Sequence, residues 1–121
     1  MIIKDADLRK PSFLLNSVQV MVLDGATIEI RCVQTAYRNK EGKWKGKWRM
    51  FSAYQGTEWC LSVQARTKPK DHLSVDAVTS FADFVGITMP VIPLYEGSSY
   101  IFTREDFDFD KATVANPQTE M

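Results

Sequence analysis

The segment from Tyr37 to Phe51 combines the two residue types that single-stranded nucleic acid requires. Six basic residues alternate with aromatic ones along it. Cations replace the counterions of phosphate groups, and exposed rings stack on unpaired bases at about 1–3 kcal/mol per base. Trp44 falls near the tip of a predicted hairpin, where an indole without a partner would expose a large apolar surface. The pattern predicts nucleic-acid contact at this tip.

The same segment also fits two other interpretations. Trp44 can fold back onto the sheet while the lysines keep a long hairpin in water and discourage pairing between sheet edges. Alternatively, the chain is a small protein-interaction or inhibitor module, in which Trp44 inserts into an acidic protein partner and the basic rim sets the association rate. A second copy of the chain is a further candidate partner.

Charge is unevenly distributed along a chain whose net charge is zero. Residues 1–30 carry three basic and four acidic side chains, residues 31–70 carry ten and two, and residues 71–121 carry two and nine. The three balances are therefore −1, +8 and −7. Zero net charge alone argues against a nucleic-acid binder, but this separation creates a directional field that favours a polyanionic partner for the middle segment.

The elements that must position these residues are predicted to form an antiparallel β-meander of about four strands. The predicted strands are residues 17–23, residues 26–37, residues 47–55 and a fourth that follows Gly56-Thr57. Residues 17–23 are apolar on both alternating faces, which favours a central strand. Asp24-Gly25 is a strong hairpin signal between the first two strands. Residues 38–46 predict an exposed connection.

Alternation along the strands assigns their faces. Ile28, Ile30 and Cys32 are predicted to face the core, and Trp48 and Met50 join them most economically. The opposite face would then carry Arg31, Arg49, Phe51, Gln64 and Arg66. Such a basic face with an aromatic centre is a common platform for unstacked bases, although a plain solvated sheet face has a similar composition.

Helical signals follow the basic loop at Lys68-Pro69-Lys70. Ser74 as N-cap and Gly86 as stop predict one helix over about 74–85, and residues 90–102 predict a C-terminal hairpin. The predicted class is α+β. A meander, a helix and a hairpin approximate a partly open barrel of the oligonucleotide/oligosaccharide-binding (OB) kind. A curved antiparallel sheet packed on one helix is the competing arrangement.

The chain length fits one domain, which we assign to residues 1–103, followed by an acidic tail at 104–121 that is too charged to hold a fixed structure. The residues of interest in this tail are Asp106, Phe107, Asp108, Phe109 and Asp110. They could occupy the cationic groove of the same molecule until nucleic acid displaces them, or present phenylalanines to a partner protein. A solubilising terminus or an edge strand fits the same pattern.

The predicted function is non-enzymatic binding of nucleic acid, preferentially single-stranded DNA or RNA. The candidate nucleic-acid-binding residues are Arg31, Tyr37, Arg38, Lys40, Lys43, Trp44, Lys45, Lys47, Arg49, Phe51, Arg66, Lys68 and Lys70. The Lys68 and Lys70 loop has a simpler explanation as a solvated connection in which Pro69 stops the fourth strand.

Catalytic and metal chemistry find little support in the sequence. His72 lies beside Asp71 in a predicted loop, no pattern places a nucleophile next to it, and a local capping or solvent-facing role is expected. Cys32 and Cys60 lack metal-ligand spacing and are expected to be reduced sheet residues. No catalytic residue, metal or cofactor is predicted. The absence of a secretory signal and of an 18-residue apolar stretch predicts a cytoplasmic protein without a membrane segment.

Overall fold

The computed structural model describes residues 6–62 and 68–110, which form an α+β structure. The elements in chain order are a 3₁₀ turn (Ala6–Arg9), β1 (Ser12–Phe13), a 3₁₀ turn (Leu15–Ser17), α1 (Val18–Leu23), β2 (Thr27–Arg38), β3 (Trp44–Tyr54), β4 (Thr57–Leu61), β5 (His72–Ser74), α2 (Val75–Val85), β6 (Ser99–Phe102) and a 3₁₀ turn (Arg104–Asp106). The predicted class is confirmed. The predicted barrel is wrong, because the six strands of the described part form one open, mixed sheet with β1 and β6 at opposite ends.

The two longest strands, β2 and β3, form the centre of this sheet. They are antiparallel, and the pairing runs from Thr27 opposite Ala53 to Arg38 opposite Trp44. Along the far edge of β3, β4 pairs with the C-terminal half and β5 with the N-terminal half. β1 extends the sheet by pairing parallel with β4. Only β2, β3 and β4 therefore follow the predicted meander.

The last strand, β6, pairs antiparallel with β2 and not with the chain just before it, so the predicted C-terminal hairpin is wrong. Pro93 has no N–H to donate to a ladder, but its carbonyl can still accept. It accepts a hydrogen bond from Trp48 Nε1 at 2.7 Å. The following residues run along β2, where Leu94 O accepts from Ala36 N–H at 2.8 Å.

Residues 18–23 form helix α1, so the predicted central strand at 17–23 is also wrong. Val18, Met21 and Val22 are buried at helical spacing, whereas Val20 and Leu23 are exposed. A short run that is apolar at nearly every position fits a strand and a helix equally well. Tertiary packing decides between the two structures, and here one face of a helix packs into the core.

Asp24-Gly25 ends this helix and does not join two strands. Gly25 has a φ of 102°, and its N–H donates to Val22 O at 3.0 Å while Ala26 N–H donates to Met21 O at 2.9 Å. This pair of bonds is the Schellman arrangement of a helix C-terminus. The positive φ that a tight hairpin needs is also the one that terminates a helix, so the dipeptide is ambiguous.

Helix α2 lies where the capping residues predict. Ser74 Oγ accepts a hydrogen bond from Ala77 N–H at 3.0 Å, and Gly86 ends the helix with a φ of 99°. One stripe of the helix packs on the predicted inner face of the sheet. The buried residues of the two surfaces are Val78, Phe81, Ala82 and Val85 on α2, and Ile28, Ile30, Cys32, Trp48 and Met50 on the sheet. Neither α-helix of the described part has the length and apolarity needed to span a bilayer.

Residues 104–110 of the predicted tail contact the end of α2. Phe107 is buried and bridges Ile87, and Asp108 N–H donates to Gly86 O at 2.7 Å. Phe109 packs against the core and stacks on the Phe107 ring, with ring centres 5.9 Å apart. Phe107 is therefore not accessible to a partner protein. This corrects the expectation that the tail presents both phenylalanines to such a partner. Residues 111–121 of the predicted tail lie outside the described part.

Candidate nucleic-acid interface

The basic hairpin, residues 37–47, consists of the paired ends of β2 and β3 and a five-residue loop at 39–43. Asn39 organises this loop, since its side-chain oxygen accepts hydrogen bonds from the N–H groups of Glu41 and Lys43, both at 2.9 Å. Gly42 supplies a positive φ of 82°. The predicted connection at 38–46 is therefore shorter than expected, and Trp44 is a strand residue.

Each face of this hairpin carries one aromatic ring and one cation. Tyr37 lies opposite Lys45, and Arg38 lies opposite Trp44. Directly opposed residues of an antiparallel pair project from the same face, so the two pairs occupy different faces. Tyr37 is 53% exposed and Trp44 is 43% exposed. Trp44 therefore does not fold back into the core.

The cations of the basic hairpin lack acidic partners among the described residues. In that part of the chain, no salt bridge involves Arg38, Lys40, Lys43, Lys45 or Lys47. Five basic residues and Glu41 give the hairpin a net charge of +4. Arg38, Lys40 and Lys43 are exposed, and Lys45 and Lys47 are half-buried on the outer face of β3.

The outer sheet face behind the hairpin differs from the predicted basic platform. Arg31 is ion-paired with Glu29 at 2.9 Å and with Glu58 at 2.8 Å. Its guanidinium carbon lies 3.8 Å from the centre of the Phe51 ring, and Lys10 Nζ lies 5.8 Å from the same centre. Phe51 is only 1% exposed. The ring therefore has no surface on which a base could stack, which corrects its predicted role.

Arg49 is also neutralised, by acids distant in sequence. Its Nε donates to Asp71 at 2.6 Å and its Nη1 donates to Asp7 at 2.7 Å, while its side chain is 11% exposed. Burial raises the pKa of Asp7, but hydrogen bonds and charges from Lys10 and Arg49 outweigh it and hold that pKa below its ordinary value. Arg49 is thus a structural cation and is not available to a phosphate.

These contacts join into one network of alternating charge across the outer face. Its members in order are Asp71, Arg49, Asp7, Lys10, Glu58, Arg31 and Glu29. Four acids and three bases give it a charge of −1. The acids come from the N-terminal turn, from β2 and β4 and from the residue just before β5, so no local motif indicates the network.

The remaining predicted residues lie apart from the basic hairpin. Lys68 and Lys70 are exposed between β4 and β5, next to the bridge between Ser62 and Pro69. Arg66 and Gln64 lie outside the described residues. Asp106 and Asp108 are near the C-terminal end of α2, where they exchange backbone hydrogen bonds with Thr88 and Gly86, at the end of the sheet where Phe102 pairs with Ile28.

That position separates the acidic segment from the hairpin within one molecule. Ile28 precedes Tyr37 by nine residues of β2, and at about 3.3 Å per residue this corresponds to roughly 25–30 Å. Residues 106–110 are fixed at the far end by Phe107. They therefore do not reach the basic hairpin of their own molecule, which corrects the predicted intramolecular competition.

His72 differs from its expected solvent-facing role. It is 7% exposed and packs edge-on against Phe81, with ring centres 5.7 Å apart. Burial, followed by the charge of Lys70, lowers the pKa of His72 to about 4, so the ring is neutral at neutral pH. Within the described residues, no group of three or more His, Cys, Asp and Glu side chains could hold a metal. Cys32 and Cys60 are buried in the sheet and are not joined in a disulfide, as expected.

Comparisons add no assignment: the chain matches no protein-family model, and neither a curated protein nor a solved structure shows significant similarity to it.

Proposed function

We propose that the chain binds single-stranded nucleic acid through the basic hairpin. The observation that carries this proposal is the contrast between two sets of cations. Arg31 and Arg49 are ion-paired with carboxylates, whereas the five cations of the basic hairpin have no ion-pair partner in the described part of the chain. A cluster of unneutralised cations is costly for the fold to maintain and is the feature that phosphate groups complement.

The rings of the basic hairpin supply the second half of the interface. Tyr37 and Trp44 each keep about half of their surface in solvent, and each has a cation directly opposite or diagonal to it. A backbone that follows Lys45 and Lys47 on the outer face would bring bases towards Tyr37. Because stacking on a ring tolerates any base, the proposed binding has little sequence preference.

The test is fluorescence anisotropy of a labelled 20-nucleotide single strand and a matched duplex, titrated at 50 and 200 mM salt. Lys43→Gln combined with Lys45→Gln should weaken single-strand binding and lower the slope of log affinity against log salt by about 1.4. The matched control is Arg9→Gln combined with Arg104→Gln, which removes the same charge from exposed positions elsewhere. This control should leave the slope unchanged.

The ring contribution is tested separately with Tyr37→Ala, because Tyr37 shares the face of Lys45; this change should weaken binding by roughly 5- to 150-fold with little change in the salt slope. Absence of binding by the unmodified chain at 50 mM salt would exclude nucleic acid. The exposed indole of Trp44 would then stand as the anchor of a protein interface, the alternative that its 43% exposure favours.

A further inference from the structure

A cavity separates helix α2 from the end of β4 on the side of the domain away from the charge network. Its volume is about 630 Å³, which is within the usual range for small-molecule sites. Leu14 and Leu15 close one side, Phe81 and Phe84 of α2 close the other, and Leu61 contributes from β4. Leu15 and Phe84 are partly exposed, so the apolar walls reach the mouth of the cavity.

Three polar residues of this cavity, Ser62, Lys70 and His72, share one wall, while Asn16 and Ser80 line it from the N-terminal segment and from α2. Lys70 N–H donates to Leu61 O at 2.9 Å, and Ser62 bridges Pro69, so Ser62 and Lys70 lie on neighbouring segments, with His72 two residues further on. Ser62 and His72 are each more than nine-tenths buried. Ser62 Oγ and His72 Nδ1 have no hydrogen-bond partner among the described residues. Buried polar atoms without a protein partner are uncommon in folded domains and call for a ligand or water.

We propose that this cavity binds a small amphipathic carboxylate, with its apolar body between α2 and Leu14-Leu15 and its carboxylate at Lys70. Lys70 is the one fully charged side chain among the described residues that line the cavity. The apolar walls select an apolar body, and a single exposed cation at the rim selects one anionic group.

The adjoining polar atoms complete the head-group site. Ser62 can donate its hydroxyl hydrogen to a carboxylate oxygen. His72 stays neutral at neutral pH because burial, and then the charge of Lys70, lowers its pKa to about 4. Neutral His72 therefore leaves Lys70 as the group that discriminates a carboxylate from an alcohol of the same length. This inference is independent of the proposed function, since it uses a different face of the molecule.

The experiment uses the full chain and 8-anilinonaphthalene-1-sulfonate, an aromatic body with one anionic group whose fluorescence rises in apolar sites. Decanoate and decan-1-ol are titrated as competitors. Lys70→Gln should weaken decanoate about five- to tenfold and leave decan-1-ol unchanged. Lys68→Gln is the matched control, because Lys68 is an exposed lysine two residues away that does not line the cavity.

A second pair of variants tests the location. Ser80→Trp places a large side chain at the lining of the cavity from an exposed position of α2, and it should abolish binding of the fluorophore and both competitors. Thr79→Trp, at the next exposed position outside the lining, should bind as the unmodified chain does. Far-UV circular dichroism confirms that each variant is folded. The proposal is overturned if the fluorophore does not bind, if Lys70→Gln and Lys68→Gln behave alike, or if Ser80→Trp still binds.

Discussion

Replacement of Arg49 by methionine tests whether the outer sheet face is structural. Methionine keeps much of the apolar stem and removes the cation, which leaves Asp7 and Asp71 without their shared partner. Breaking a fully buried ion pair from one side costs about 3–5 kcal/mol. Here the side chain of Asp71 is 31% exposed, and Asp7 keeps its ion pair with Lys10 Nζ at 3.0 Å. Water and Lys10 therefore stabilise the two carboxylates in part after Arg49 is removed. We expect a loss of about 2–3 kcal/mol in the free energy of unfolding.

Urea unfolding followed by tryptophan fluorescence measures this loss. With a slope near 1.5 kcal/mol per molar urea, the midpoint should fall by about 1.3–2 M. Lys47→Met is the matched control, since Lys47 is on the same strand and the same face as Arg49 and has no ion pair within the described residues. It should change stability by less than about 0.5 kcal/mol.

The same two variants should show the opposite order in the anisotropy titration. Lys47→Met should weaken single-strand binding, whereas Arg49→Met, once corrected for the folded fraction, should not. If Arg49→Met unfolds no more easily than Lys47→Met, the carboxylates do not hold Arg49. Our separation of structural from binding cations would then be refuted.

Three further predictions concern the core and the response to pH. Gly46→Ala should cost about 1–3 kcal/mol in urea unfolding, because the added Cβ would lie 2.8 Å from Cη2 of the fully buried Trp48. The pKa of His72 falls from 6.5 to about 4 on folding, so between these pH values only the unfolded chain binds a proton at this residue. The free energy of unfolding should therefore drop by about 3 kcal/mol as pH decreases from 6.5 to 4, and unfolding curves of His72→Gln should lack this drop. The lowered pKa of Asp7 stabilises the fold above about pH 4, and that contribution is lost as pH falls through the folded pKa; Asp7→Asn should flatten the acid limb of stability measured between pH 4 and 2.

Local signals predicted the elements that depend on local chemistry. The alternation of Ile28, Ile30 and Cys32 gave the buried face of β2, and Ser74 with Gly86 gave both ends of α2. Residues 18–23 were mistaken for a strand because a run that is apolar at nearly every position has no distinguishing period. The partner of β6 was equally hidden, since strand pairing is decided by tertiary contact and the sequence shows only that residues 100–102 favour a strand.

The site was predicted in part for the same reason. The basic and aromatic residues of the hairpin are contiguous along the chain, so the sequence itself displays their clustering. The acids that neutralise Arg49 are 42 and 22 residues away from it, at Asp7 and Asp71. A charge count along the chain records ten cations in residues 31–70 but carries no information on which of them the fold pairs.

The salt dependence of binding measures how many of these cations contact phosphate. If all ten cations of residues 31–70 contacted phosphate, the slope of log affinity against log salt on a single strand would be about −7. The five hairpin cations alone limit it to about −3.5. The acidic residues 105–110 lie at the opposite end of β2 from the hairpin. Their repulsion would orient the hairpin end towards an approaching polyanion, and they are too far from the hairpin to compete with that polyanion for its cations. A measured slope no steeper than about −3.5 would support the hairpin as the interface. A slope near −7 would require Arg31 and Arg49 to leave their carboxylates, and would contradict the assignment.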